Sequence, residues 1–189
     1  WPAAPDDCEA ATRWIADAPG EFGVTPTGLI LSGDSAGGAL TIVTAMALRD
    51  APAALPVIVQ APIYPVVSAR DDWSSFADHG EGKLLTFAMM EWFANHYAAE
   101  VGHVRADPLD HDQAGMPPTV LMTAGLDPLR DQGRAYVSKL AEAGVPVTFR
   151  EAVGNIHGFI NLRKGIPSSA RDVAGFLHAV KAAIAEYAP

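Results

Sequence analysis

The chain has 189 residues, 49% hydrophobic and 19% charged, enough apolar side chain to fill one core, which excludes a disordered tail. Thirteen Lys and Arg against 22 Asp and Glu leave a formal charge of −9, a field that repels phosphate backbones and anionic bilayers and argues against a nucleic-acid partner. The mostly apolar run from Ala36 to Leu48 is shorter than the ~20 residues a spanning helix needs, so no membrane span is expected. Cys8, the single cysteine, has no internal partner for a disulfide and reads as a small core-facing residue, compatible with a reducing cytoplasm, the expected location. The chain opens on Trp1 rather than methionine, which leaves a preceding segment open.

Seventeen glycines and 15 prolines fall mostly between periodic segments and no repeat is present, so residues 1–189 read as one domain. Asp6 with Glu9 has the spelling of a capping box, and Cys8, Ala11, Ile15 and Ala18 keep helical spacing until Pro19 and Gly20. Residues 28–32 fit a short buried strand, followed beyond Gly33 by a helix to about Arg49. A second strand is expected within 55–64, confined by Pro56, Pro62 and Pro65. Over 86–100, Phe87, Met90, Phe93 and Tyr97 share one helical face, which is expected to pack on a sheet; lining a pocket is the alternative. Residues 118–124 predict a third strand, 130–143 a helix closed by Gly144, and 145–153 a fourth strand. A last helix begins at a second capping-box spelling, Ser169 with Asp172, and should bury Val173, Phe176, Leu177, Val180 and Ile184. This alternation predicts an α/β fold, a mainly parallel sheet of about four strands flanked by helices.

Gly33-Asp34-Ser35-Ala36-Gly37 spells G-x-S-x-G, extended by Gly38, at the junction of a predicted strand and a predicted helix. A serine on so sharp a turn stands out above the sheet edge, with small residues at Gly33 and Gly37 avoiding collisions. The Ala36 N–H opens the helix and points where charge develops on a carbonyl oxygen, which makes it half of an oxyanion hole. Gly33 and Gly38 also have P-loop separation, but Ala39 and Leu40 stand where a phosphate loop needs Lys and Ser or Thr.

A hydroxyl nucleophile needs an imidazole as base and a carboxylate to orient it. Of six histidines, His157 alone lies in a loop just past the predicted final strand, while His79, His96, His103, His111 and His178 fall in polar loops or helices. The group of His103, Asp107, Asp110, His111 and Asp112 lacks the spacing of a helical metal motif and reads as a solvated acidic loop. Asp127 follows the third strand and is the chosen acid; Asp131 is the rival, placed where a first-turn charge favours the helix dipole. The order Ser35, Asp127, His157 is that of α/β hydrolases.

These residues resemble the bacterial hormone-sensitive-lipase-like esterases of the GDSAGG subgroup: GDSAGG at Gly33–Gly38, DPLRD at Asp127–Asp131 and IHGF at Ile156–Phe159, with weaker likeness at Pro5–Cys8, Trp14, Ile63–Pro65, Leu84–Thr86, Trp92 and Phe93. The resemblance implies Ser35 as acylated nucleophile, His157 as general base and then acid, Asp127 as orienting carboxylate, and hydrolysis of small, short-acyl carboxylic esters without metal or organic cofactor. Acyl-peptide hydrolases and amidases share the elbow and remain an alternative, as does a hydrolase-shaped binding protein. That family carries an HGGG-type loop, a cap and half of the sheet ahead of the nucleophile, and none precedes Gly33 here. His79-Gly80-Glu81-Gly82 follows the nucleophile and reads as a surface loop. The chain is therefore expected to be the C-terminal portion of an α/β-hydrolase fold, a single partial catalytic domain. The exposed edge of strand 28–32 would be covered by an absent N-terminal segment or by a second copy.

Overall fold

A computed structural model describes residues 1–188. Among them one parallel sheet runs in chain order through β1 (Leu29–Asp34), β2 (Val57–Ile63), β3 (Thr119–Leu126) and β4 (Val147–Ile156). Parallel neighbours cannot be joined by tight turns and need long crossovers. The crossovers here are α2 (Ala36–Asp50) after β1, then α3 (Ser74–His79) and α4 (Phe87–Tyr97) after β2, and α5 (Arg130–Glu142) after β3; α1 (Ala3–Asp17) precedes β1 and α6 (Ser169–Tyr187) follows β4.

Helices cover both faces, so the central strands are buried along nearly their whole length, which is why they read as mostly apolar runs rather than alternating ones. Alternate residues of β3 serve the two sides. Val120, Met122 and Ala124 join Val173 and Phe176 of α6, while Leu121 meets Ile42 and Met46 of α2 and Tyr136 and Leu140 of α5. Helix α1 packs on α2 through Ala16, Leu48 and Leu29 of β1. β1 and β4 are the two edges; Ile30 is 44% and Val153 71% exposed. Because all four strands point the same way, the residues after their C-terminal ends gather along one rim.

Several local expectations are corrected. Neither capping box forms. Helix α1 starts before Asp6, and Glu9 pairs with Arg13 one turn on at 2.9 Å. At the start of α6 the Ser169 hydroxyl donates to the Ile166 carbonyl (2.7 Å), and Asp172 accepts from the Asn155 amide (2.7 Å), so a long-range partner displaces the local one. Leu177 is 51% exposed rather than part of the α6 stripe. Helix α4 buries no residue. Phe87 and Met90 lean on Phe76, Leu85 and Leu129, but Phe93 and Tyr97 face outward with Trp92 and Met89. His79 and Gly80 are buried at the end of α3, a helix not foreseen, and the His79 Nε2 contacts Arg130 Nη1 at 2.9 Å. Asp107 is also buried, its carboxylate accepting from the backbone N–H groups of Ala69 (2.5 Å) and Gly102 (2.6 Å), so that loop is anchored rather than solvated throughout. Cys8 is half-buried rather than core-facing. No described helix is long and apolar enough to cross a membrane.

Candidate active site

Strand β1 ends at Asp34 and α2 begins at Ala36, so Ser35 alone makes the turn, at φ 58° and ψ −119°. A side chain rarely holds that backbone, and the surroundings must enforce it. The Ser35 N–H donates to the Ile63 carbonyl (2.9 Å), and the Ser35 carbonyl accepts from the Ala39 N–H (3.1 Å). Gly33 lies against α2: a Cβ there would overlap the Gly37 carbonyl, with its carbon at 2.6 Å. Gly38 is pressed against the end of β2, where a Cβ would stand 3.0 Å from both the Ile63 oxygen and Pro65 Cβ. A Cβ on Gly37 meets nothing within 4 Å, so the turn needs Gly33 and Gly38 for close approach and not Gly37.

A serine before a helix commonly folds its hydroxyl back onto the first turn. Ser35 makes no such bond. The first intrahelical donor is the Ala39 N–H, which leaves the N–H of the exposed Ala36 ahead of the bonded ladder at the positive end of α2.

The other two side chains arrive from β3 and β4. The β3–β4 register shifts between Ala124 and Leu126, at Gly125, where a Cβ would run into the Val153 backbone. Asp127 follows and is fully buried; one carboxylate oxygen accepts from the Leu129 N–H (2.8 Å) and the other lies 2.6 Å from His157 Nδ1. His157 stands just past β4, also buried, with Nε2 2.8 Å from Ser35 Oγ. A carboxylate only accepts, so Nδ1 carries the imidazole proton toward Asp127, and the free pair on Nε2 receives the Ser35 hydroxyl. The sequence-selected Ser35, Asp127 and His157 are thus brought together in one hydrogen-bonded line.

Asp131 lies elsewhere. It pairs with Arg130 (2.8 Å) and Arg134 (3.3 Å) and accepts from the Ser75 N–H at the start of α3 (3.0 Å). Burial works against its charge, but the Arg130 hydrogen bond and the neighbouring cations outweigh it and hold the carboxyl below its ordinary range. The buried Ser75 hydroxyl donates to the Pro128 carbonyl at 2.6 Å, so α3 braces the loop that presents Asp127. Ser75 has no sequence signal, because α3 is too short to show periodicity.

Tyr64, at the end of β2, is fully buried at φ 33°, its ring 4.6 Å from that of His157 and 5.6 Å from that of Phe159. Its hydroxyl donates to Asp34 Oδ2 at 3.0 Å, and burial, reinforced by the Asp34 carboxylate, pushes the phenol upward from its usual range. Asn161 donates to the same oxygen at 3.0 Å. Neither side chain was singled out for chemistry by the sequence; Tyr64 enters there only within the Ile63-Tyr64-Pro65 likeness.

Residues 1–161 match the alpha/beta hydrolase fold family. The chain is 31% identical to carboxylesterase NlhH of Mycobacterium tuberculosis over 97% of its own length and 60% of the relative's. It is 34% identical to an ethyl acetate hydrolase of Pseudomonas putida, covering 86% of this chain and 52% of that protein. The crystal structure of DphMB1 superposes with a TM-score of 0.90 at 31% identity, over 97% of this chain and 62% of that one. The chain thus spans about 60% of the length of the first curated relatives it matches.

Proposed function

Because the chain belongs to the alpha/beta hydrolase fold family, we propose that it forms the catalytic portion of a serine carboxylesterase. Ser35 is the nucleophile, His157 the proton carrier and Asp127 its orienting group. The observation that carries this reading is the single imidazole bonded at 2.8 Å to Ser35 and at 2.6 Å to a fully buried carboxylate.

As Ser35 Oγ attacks the ester carbonyl, its proton passes to His157 Nε2, and Asp127 stabilises the imidazolium through Nδ1. The oxygen of the tetrahedral intermediate faces the Ala36 N–H, where the α2 dipole favours negative charge. The imidazolium returns the proton to the departing alkoxide, leaving an acyl-Ser35 ester. Water then attacks that ester, giving its proton to His157, and collapse of the second intermediate frees the acid and restores the hydroxyl.

Small, short-acyl esters are the proposed substrates, supported by the ethyl acetate hydrolase among the relatives. A fluorophosphonate tests the nucleophile. Mass spectrometry is expected to place one adduct on the peptide carrying Ser35, blocked by Ser35→Ala; an adduct elsewhere, or ester turnover that survives Ser35→Ala, overturns the assignment. Turnover of p-nitrophenyl acetate and butyrate above that of the dodecanoate supports the acyl preference, and the reverse order overturns it.

A further inference from the structure

We propose that Asp34 is a positioning residue, whose carboxylate fastens the loop carrying His157 to the turn carrying Ser35. The proposal rests on the reading of Ser35, His157 and Asp127 as the reacting groups and adds a residue that touches none of the atoms exchanged.

Base and nucleophile sit on different strands, 122 positions apart in the chain, and β1 and β4 are the opposite edges of the sheet. No ladder bond joins them, so their separation depends on what bridges the rim. Asp34 immediately precedes Ser35, and Asn161 comes four residues after His157 within a loop of tight turns, Asn161 N–H to Gly158 carbonyl (3.0 Å) and Leu162 N–H to Phe159 carbonyl (3.1 Å). The Asn161 amide reaches back to Asp34 Oδ2 at 3.0 Å, closing a span of 127 residues. The same oxygen takes the Tyr64 hydroxyl at 3.0 Å, and the Tyr64 ring backs the imidazole at 4.6 Å. One acceptor atom thus holds the loop beyond His157 and the ring against which His157 rests. Bonds to an ionised acceptor are stronger than neutral ones, and two donors converging on one oxygen fix its direction.

Reactivity falls steeply with misplacement, by about 10²-fold for 1 Å. The Asn161 arm is solvent-exposed and Asp127 still holds His157 from the other side. Asp34→Ala should therefore lower kcat for p-nitrophenyl acetate by about 10-fold while KM stays within about twofold, the pattern of an interaction that orients the reacting groups rather than the substrate. Asp34→Asn keeps an acceptor oxygen and should remain within about threefold of wild type.

The decisive comparison is electrostatic. Asn161→Asp sets two carboxylates against each other and should lose more than Asn161→Ala; Asp34→Asn combined with Asn161→Asp exchanges the partners and should recover most of that loss. A residue serving stability alone shifts the melting temperature in these variants without this reversal. The proton on His157 Nδ1, followed by NMR in the unreacted protein, gives a readout that needs no turnover: one resonance in wild type and in the exchanged pair, broadening or doubling in Asn161→Asp. If wild type neither turns over esters nor takes a fluorophosphonate, the functional reading fails, while the resonance still tests the fastening. Wild-type kcat and an unchanged resonance in Asp34→Ala, or in the surface variant Asn161→Asp should Asp34→Ala not fold, overturn the proposal.

Discussion

Replacing Gly33 by alanine places a methyl group 2.6 Å from the Gly37 carbonyl carbon, against about 3.5 Å for an unstrained contact. Strand β1 and the first turn of α2 must separate by roughly 0.9 Å, and neither is a flexible side chain that can swing aside. Overpacking of this kind costs about 1–3 kcal/mol. For a chain of this size that corresponds to a melting temperature lower by about 4–8 °C at a mid-range cost of ~2 kcal/mol. Ser35 is the only residue between the two elements, so the separation is absorbed at its backbone and lengthens the 2.8 Å approach of Oγ to Nε2 beyond hydrogen-bonding range. The fluorophosphonate labelling rate should then fall by about 10²-fold in the folded variant. Gly37→Ala is the matched control: its methyl group meets nothing within 4 Å and removes backbone freedom from a helical residue, so stability should hold or rise by about 0.5–1 kcal/mol. Thermal melts and labelling time courses of the two variants are the assay. Gly33→Ala matching wild type in both, or Gly37→Ala proving the more destabilised, refutes the close-approach argument.

Asp127→Asn should lower esterase kcat by about 10³- to 10⁴-fold with little change in KM, because an amide in place of the carboxylate lets the imidazole adopt the wrong tautomer; a loss under tenfold would discard Asp127 as the orienting group. Ser35→Gly should be about 1 kcal/mol more stable than Ser35→Ala in urea denaturation, since only glycine relaxes at φ 58°; equal midpoints would mean that the turn is unstrained. Asp131→Ala should cost about 1 kcal/mol at neutral pH through the lost Ser75 and Arg130 contacts. The folded carboxyl is held below its unfolded value, so the contribution is complete above about pH 4, where the unfolded group titrates, and fades as pH falls through the folded value. Melts of wild type and variant should converge in acid, and a gap that widens there contradicts the assignment.

The elbow, the order of the four strands and the three rim residues were legible because each has a local signature: apolar runs bounded by turn residues, a strand-to-helix glycine motif, and an acid and a base just past strands. The supports of that line were not. Ser75, Tyr64 and Asn161 reach partners 53, 30 and 127 positions away, and spacing along the chain carries no record of such pairs. The second capping-box spelling failed for a related reason, since Asp172 has the right neighbour but a better distant partner in Asn155, whereas the first failed because α1 already begins at Ala3. The aromatic face of α4 misled in its second half, where Phe93 is 50% exposed, because periodicity reports that a helix has an apolar side, not how far along it anything lies against that side.

Strand order in space repeats strand order in sequence, so the nucleophile and the imidazole come from the two opposite edges of the sheet and meet only when all four strands are in place. Until then Ser35 has a hydroxyl but no base to receive its proton. Labelling by a phosphonate added during refolding should therefore report the completed sheet: a chain in which β1 and β4 have not both joined it stays silent.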